Sequence, residues 1–225
     1  SFLRRIAGSD DRLDTIEHTI AEMLDNDLRA YTLAVSALIG DSTHAAVRDD
    51  VRRTDFQVNE GERAIRRDLV VHASVAGGLE VPGLLVYMSV VKDIERVGDY
   101  AKNLLDLARD GANLGSHDVW RQTFEDVATF IQDTQTVFAK RDVARAREML
   151  ISGDVMLDEF DAGVSRLVSG SDDATDGVAR ALAYRYLKRI VAHLMNVLSS
   201  VVMPLDQLDY FDEDPEDRDK NVRAL

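Results

Sequence analysis

Glu95 and Asp99 stand four residues apart within Val91-Lys92-Asp93-Ile94-Glu95-Arg96-Val97-Gly98-Asp99-Tyr100-Ala101-Lys102-Asn103. The apolar residues around them recur with helical period. On a helix the two carboxylates project from one face, roughly 5–6 Å apart at Cβ. Asp106 falls on nearly the same stripe, three turns on. Like charges so placed repel by a few tenths of a kcal/mol, about as much as an opposite pair attracts. A compensating charge is therefore expected, and its nature is the functional question.

Two answers are open on the residues alone. Asp55, Asn59 and Glu62 recur at steps of four and three on the preceding helical segment and can face the Glu95/Asp99 pair. Helical bundles hold carboxylate-bridged metals in such places. Oxygen-rich ligand sets suit hard divalent cations, manganese and iron. Alternatively, the face is solvated and balanced by Lys92, Arg96 and Lys102. His193 is read as packed or capped on a mostly apolar helix rather than as a ligand. No Glu precedes any of His18, His44, His72, His117 or His193 by three, so the Glu-x-x-His pairs of di-iron bundles are absent. No phosphate-cradling glycine loop and no Ser/His/Asp set stands out.

The elements that must position these groups are helices. Gly8-Ser9-Asp10 predicts a helix start, and Leu13, Ile16, Ile20, Met23, Leu24, Leu28, Tyr31, Val35 and Leu38 form one stripe ending at Gly40. A second helix carries a thin stripe of Val47, Val51, Val58, Ile65 and Leu69. Gly77-Gly78 and Val81-Pro82-Gly83 predict a break, with a third helix from about Leu84 to Ala108, closed by Gly111 and Gly115. A fourth opens at Asp118, and a fifth follows Arg141-Asp142. After the loop Ser169–Asp173 a sixth runs from about Ala174 to Met203, before Pro204.

Composition agrees. The 225 residues include 45% hydrophobic and 30% charged residues and only three prolines, as expected of an all-α chain. A net charge of −14 argues against nucleic acid, whose binding needs a Lys/Arg surface. There is no cysteine, which excludes disulfides and thiolate chemistry. The longest uncharged run, Ile190 to Leu205, has 16 residues, short of the roughly 20 a spanning helix needs. The N-terminal stretch does not read as a signal peptide, and a cytoplasmic location is expected.

The six helices divide into two copies of one three-helix unit. At an offset of 93, Ile94, Arg96, Val97, Asn103 and Leu105 meet Leu187, Arg189, Ile190, Asn196 and Leu198. At an offset of 99, Asp55, Asn59 and Glu62 meet Asp154, Asp158 and Asp161. Glu95 and Asp99 meet Lys188 and Ala192. The expectation is that the first copy binds metal and that Lys188 neutralises the acids of the second. The expected boundaries are 10–110 and 116–205, then an acidic tail, 206–225. From Asp206 to Lys220 that tail holds eight acids and two bases, too polar to order itself alone.

The run Asp93-Ile94-Glu95-Arg96-Val97-Gly98-Asp99 through Asn103 closely resembles the signature of the PhoU family, the phosphate-transport regulators. Asp55-Phe56-Gln57-Val58-Asn59-Glu60-Gly61-Glu62 resembles that family's helix-two pattern, and the layout matches over about residues 10 to 205. The resemblance implies two tandem three-helix bundles packed side by side. It implies metal held by Glu95 and Asp99, with Asp55, Asn59 and Glu62, the metal being a divalent or trivalent ion such as iron or zinc. It implies a non-enzymatic adaptor at the membrane periphery, acting on phosphate transporter components or a sensor histidine kinase, and a homodimer. The chain departs from the pattern at Lys188 and Ala192, around Leu84-Leu85-Val86, and in the tail. Two other functions compete with the adaptor: a metal-free oligomerisation or partner module for another ion transporter, and a carboxylate-metal hydrolase, which lacks His ligands and a clear general base.

Overall fold

The computed structural model describes residues 11–76, 81–115, 118–172 and 176–202. The expected helix start at Gly8-Ser9-Asp10, the Gly77-Gly78 break, the onset near Ala174, Pro204 and the acidic tail lie outside them. The described chain forms six α-helices: α1 (Asp11–Leu38), α2 (His44–Ala76), α3 (Val81–Arg109), α4 (Asp118–Lys140), α5 (Val143–Val168) and α6 (Gly177–Val202).

Each helix follows from its apolar stripe. On α1, Ile16, Ile20, Met23, Leu24, Tyr31 and Leu38 are fully enclosed. The thin stripe of α2 is real: Val47, Val51, Val58, Ile65 and Leu69 are all buried, while most of its remaining surface is polar. The Val81-Pro82-Gly83 triplet does not break the chain. α3 begins at Val81, and Pro82 sits in the first turn, where its missing N–H has no helical partner to lose. Gly40, with φ +83°, follows α1 in the left-handed conformation that glycine adopts freely. Asp142 caps α5 by accepting from the Arg145 N–H.

α1, α2 and α3 pack mutually, as do α4, α5 and α6, with α6 the central member of its group. The two groups meet along α3 against α6 and α1 against α4. Their apolar residues join in one continuous core. Polar clasps reinforce the seam. The Tyr31 hydroxyl donates to the Phe124 carbonyl at 3.1 Å, and the Gln135 amide to the Ala21 carbonyl at 3.0 Å. Buried Asp93 on α3 lies 2.8 Å from His193 Nδ1 and accepts from Asn196 Nδ2 at 3.2 Å, both on α6. His193, also stacked on Tyr100, is thus a packed, carboxylate-paired histidine.

The turn between α4 and α5 inserts Arg141 into the first group. Its Nη2 lies 2.9 Å from Glu17 Oε1 and 3.2 Å from the Tyr87 hydroxyl, and its guanidinium covers the Phe138 ring at 3.9 Å. The Tyr87 hydroxyl itself donates to Glu17 at 2.7 Å. Arg141 holds this position with φ 53°, a conformation that costs a non-glycine residue of order 1 kcal/mol and that the surrounding contacts must offset. No helix of the described chain is long and apolar enough to cross a membrane.

Candidate functional site

Helix periodicity brings Glu95 and Asp99 to the face of α3 that opposes α2, and the α2 period brings Asp55, Asn59 and Glu62 toward them. Asn59 donates to the Asp55 carbonyl at 2.9 Å and to its carboxylate at 3.3 Å, which orients Asp55. Glu62, largely buried, is paired with Arg66 at 2.7 Å and lies close enough to Glu95 to disfavour its charge. Asp106 stands apart, paired with Arg109 at 2.6 Å.

The compensating charge at the centre is Lys102. Its ammonium lies 2.6 Å from Asp55 Oδ1 and 2.8 Å from Asp99 Oδ1, bridging α2 and α3. Burial works against the charge of Lys102, but its bonds to Asp55 and Asp99 outweigh that and hold its pKa above the ordinary value. Arg96 lies 3.1 Å from Asp99 Oδ2 and 3.7 Å from Glu95 Oε2. Two of the three cations named for a balanced acidic face are therefore in place. Glu95 receives less compensation: burial first, then the Asp99 charge, push its pKa up. Among the described residues no three His, Asp or Glu side chains are gathered as a ready metal cage.

A further carboxylate belongs to this group. Asp27 on α1 is wholly buried, and neither of its oxygens has a hydrogen-bond partner. Burial above all, then the charges of Glu95, Asp55 and Asp99, push its pKa well up, against a smaller opposing effect of Lys102. Gly98 makes room for it: a Cβ at 98 would stand 2.7 Å from Asp27 Oδ1. The signal in the sequence was its place on the stripe, four after Met23, three after Leu24 and four before Tyr31. A charge on a core stripe calls for a partner. Leu28, read as part of that stripe, is only partly buried.

The donor set suits a hard cation. Asp27, Asp55, Glu95 and Asp99 are acceptor-only when ionised, and an enclosed carboxylate without a donor is the type of group a metal satisfies. In the present arrangement Lys102 supplies the positive charge that a metal would supply.

The second copy mirrors this with different residues. Lys188, 8% exposed at its side chain, lies 2.7 Å from Asp161 Oδ2. The expected neutralisation of the α5 acids by Lys188 is present for Asp161, which Arg185 also approaches at 3.6 Å. Both copies thus carry an α2-type acid bonded to a lysine from the next helix of the bundle, at different points of the repeat.

Six helices in two packed groups, with paired carboxylates between the second and third, define an all-α bundle protein. Residues 20–108 match the family model described as the PhoU domain. The described fold is similar to the crystal structure of PhoU from Pseudomonas aeruginosa, with a TM-score of 0.73 over 84% of this chain and 95% of that one, at 23% identity. In sequence the chain is 24% identical over 212 residues to the phosphate-specific transport system accessory protein PhoU homolog of Pseudomonas aeruginosa, covering 84% of this chain and 88% of the relative. It is 31% identical over 87 residues to PhoU homolog 1 of Thermotoga maritima, covering 39% of this chain and 36% of that one. The chain therefore carries a PhoU domain at residues 20–108, and its fold as a whole is the PhoU fold. The resemblance drawn from the Glu95/Asp99 motif holds.

Proposed function

We propose that this protein is a PhoU-like accessory of phosphate transport, an adaptor on the cytoplasmic side that restrains a phosphate transporter or its sensor histidine kinase and has no enzymatic role. What supports the reading is the similarity along most of its length to a phosphate-specific transport system accessory protein, together with the Glu95/Asp99 pair inside the matched domain. The catalytic alternative has less support: Asp55 and Asp99 are paired with Lys102, and Asp99 also with Arg96.

In this proposal the carboxylate group takes up a hard cation, iron or zinc among the candidates. Glu95 and Asp99 are its main holders, Asp55 and Glu62 face them from α2, and Asn59 orients Asp55. Asp27 adds the enclosed carboxylate whose oxygens lack a donor. The cation would supply positive charge beside Glu95 and Asp99, and Lys102 would give up its bonds to Asp55 and Asp99. One observation favours a metal-free scaffold instead: Lys102 already satisfies those two acids.

Elemental analysis of the full chain purified without chelator separates the two. The metal reading expects bound metal that is lost in E95A/D99A. Equal metal content in the two proteins, or none in either, refutes it. The adaptor reading stands on a separate test. Pull-down from a membrane fraction should retain phosphate transporter or kinase subunits, and their absence counts against it.

A further inference from the structure

Positive charge on this acidic chain gathers around a cavity of about 580 Å3 between α2 and α3. Its lining includes Arg48 and Arg52 from α2 and Arg96, Lys102 and Arg109 from α3, with His44 beside them. The lining carboxylates are two, Asp99 and Asp106. Five cations and two acids thus line a cavity in a chain whose net charge is −14. Lys102 and Arg96 are already held by Asp55, Glu95 and Asp99, so Arg48, Arg52 and Arg109 are the cations most open to a ligand.

We propose that this cavity binds a ligand made of several linked phosphoryl groups. The volume lies within the roughly 300–1,000 Å3 range of small-molecule sites. The existing ion pairs do not close it to such a ligand. Arg48 is paired with the adjacent Asp49 at 3.0 Å, and Arg109 with Asp106 at 2.6 Å and Asp110 at 2.9 Å. These are local pairs between substantially exposed groups, typically worth about 0–1 kcal/mol, and one multivalent anion can replace several of them.

The spacing selects the ligand. A guanidinium fork matches either carboxylate or phosphate. A single carboxylate has two oxygens and suits one fork. A phosphoryl group offers three acceptor oxygens and more charge, so adjacent guanidiniums can share it. Arg96 and Arg109 are thirteen residues apart, or about 20 Å along a helix axis at 1.5 Å per residue. One orthophosphate spans only a fraction of that distance, whereas linked phosphoryl groups reach more of the lining. A nucleic acid duplex would bring long-range repulsion from the acidic chain.

Condensed inorganic phosphate and nucleoside triphosphate share this chemistry, and calorimetric titration can separate them. The full chain, kept in chelator so that bound metal plays no part, is titrated with tripolyphosphate, ATP and orthophosphate at low salt. Tripolyphosphate should bind at least tenfold more tightly than orthophosphate. ATP binding equally well identifies the phosphoryl chain alone as the recognised group; weaker ATP binding assigns the site to inorganic condensed phosphate, and tighter binding to the nucleotide. R48A/R52A should weaken tripolyphosphate at least tenfold and R48E/R52E should abolish its binding. Both side chains are exposed, so the fold is kept, which circular dichroism verifies. Arg145→Ala, on α5 outside the lining, should change nothing. The proposal is overturned if orthophosphate binds as tightly as tripolyphosphate, if R48A/R52A binds like the unmodified chain, or if Arg145→Ala weakens binding equally.

Discussion

Gly98→Ala provides a direct measure of how tightly α3 is fitted against Asp27. Two effects oppose each other. Alanine is a better helix former than glycine, by about 1 kcal/mol. Against this, the new methyl would stand 2.7 Å from Asp27 Oδ1, closer than packed atoms tolerate, in a place where Asp27 is fully enclosed. Overpacking of this kind typically costs about 1–3 kcal/mol, so the net loss should be about 0–2 kcal/mol. In an Asp27→Ala background the obstacle is gone, and the same substitution should stabilise by about 0.5–1 kcal/mol. The coupling between the two positions is then about 1–3 kcal/mol. For a chain of this size that corresponds to roughly 2–4 °C in Tm per kcal/mol. The assay is thermal unfolding of all four proteins by calorimetry, in chelator. If Gly98→Ala shifts Tm by the same amount in both backgrounds, with coupling under about 0.5 kcal/mol, then Asp27 does not occupy the space that residue 98 vacates.

Two further outcomes follow from the geometry. Arg141→Ala removes an ion pair to Glu17, a bond to the Tyr87 hydroxyl and a ring contact with Phe138; hydrogen bonds to charged groups contribute about 1.5–3 kcal/mol, and calorimetry should find a loss of that order, an unchanged Tm refuting the clasp. Asp27→Asn should alter the pH dependence of stability. The folded pKa of Asp27 is raised, burial being the main cause, so the folded chain holds the proton more tightly than the unfolded one. That contribution is fully present below the unfolded pKa, about 3.9, and is lost as pH rises through the folded value. Metal-free Asp27→Asn should therefore gain Tm relative to the unmodified chain as pH rises from about 4, and parallel curves would count against a buried, donor-less carboxyl.

The helices were legible because their stripes are regular; Leu13 through Leu38 and Val47 through Leu69 predict elements that the fold contains. That Glu95 and Asp99 share one face, and Asp55, Asn59 and Glu62 another, was legible because helical period alone sets which side chains of a helix lie together. Pro82 misled because a proline opening a helix and a proline ending one look alike until the N–H partners are known. Asp27 was passed over because its neighbours are apolar and no motif surrounds it. Lys102 was seen as a balancing charge, but its bond to Asp55 crosses between helices, and helical period does not encode how α2 is rotated against α3. Arg141 was read only as part of a turn, and the Arg48 and Arg52 side chains did not stand out, since their significance arises from what α3 sets opposite them.

The lysines that sit among the acids of both copies have a consequence for how the protein comes into being. A small domain whose ligands must await an ion cannot complete its fold until the ion arrives. Here Lys102 and Lys188 reach their carboxylates as part of the same chain. Asp55, Asp99 and Asp161 thus carry their counter-ion on a tether, at an effective concentration set by the chain itself. The pairing of these acids therefore calls for no ion from outside, and an ion entering at Asp55 and Asp99 would have to displace a lysine that is already attached.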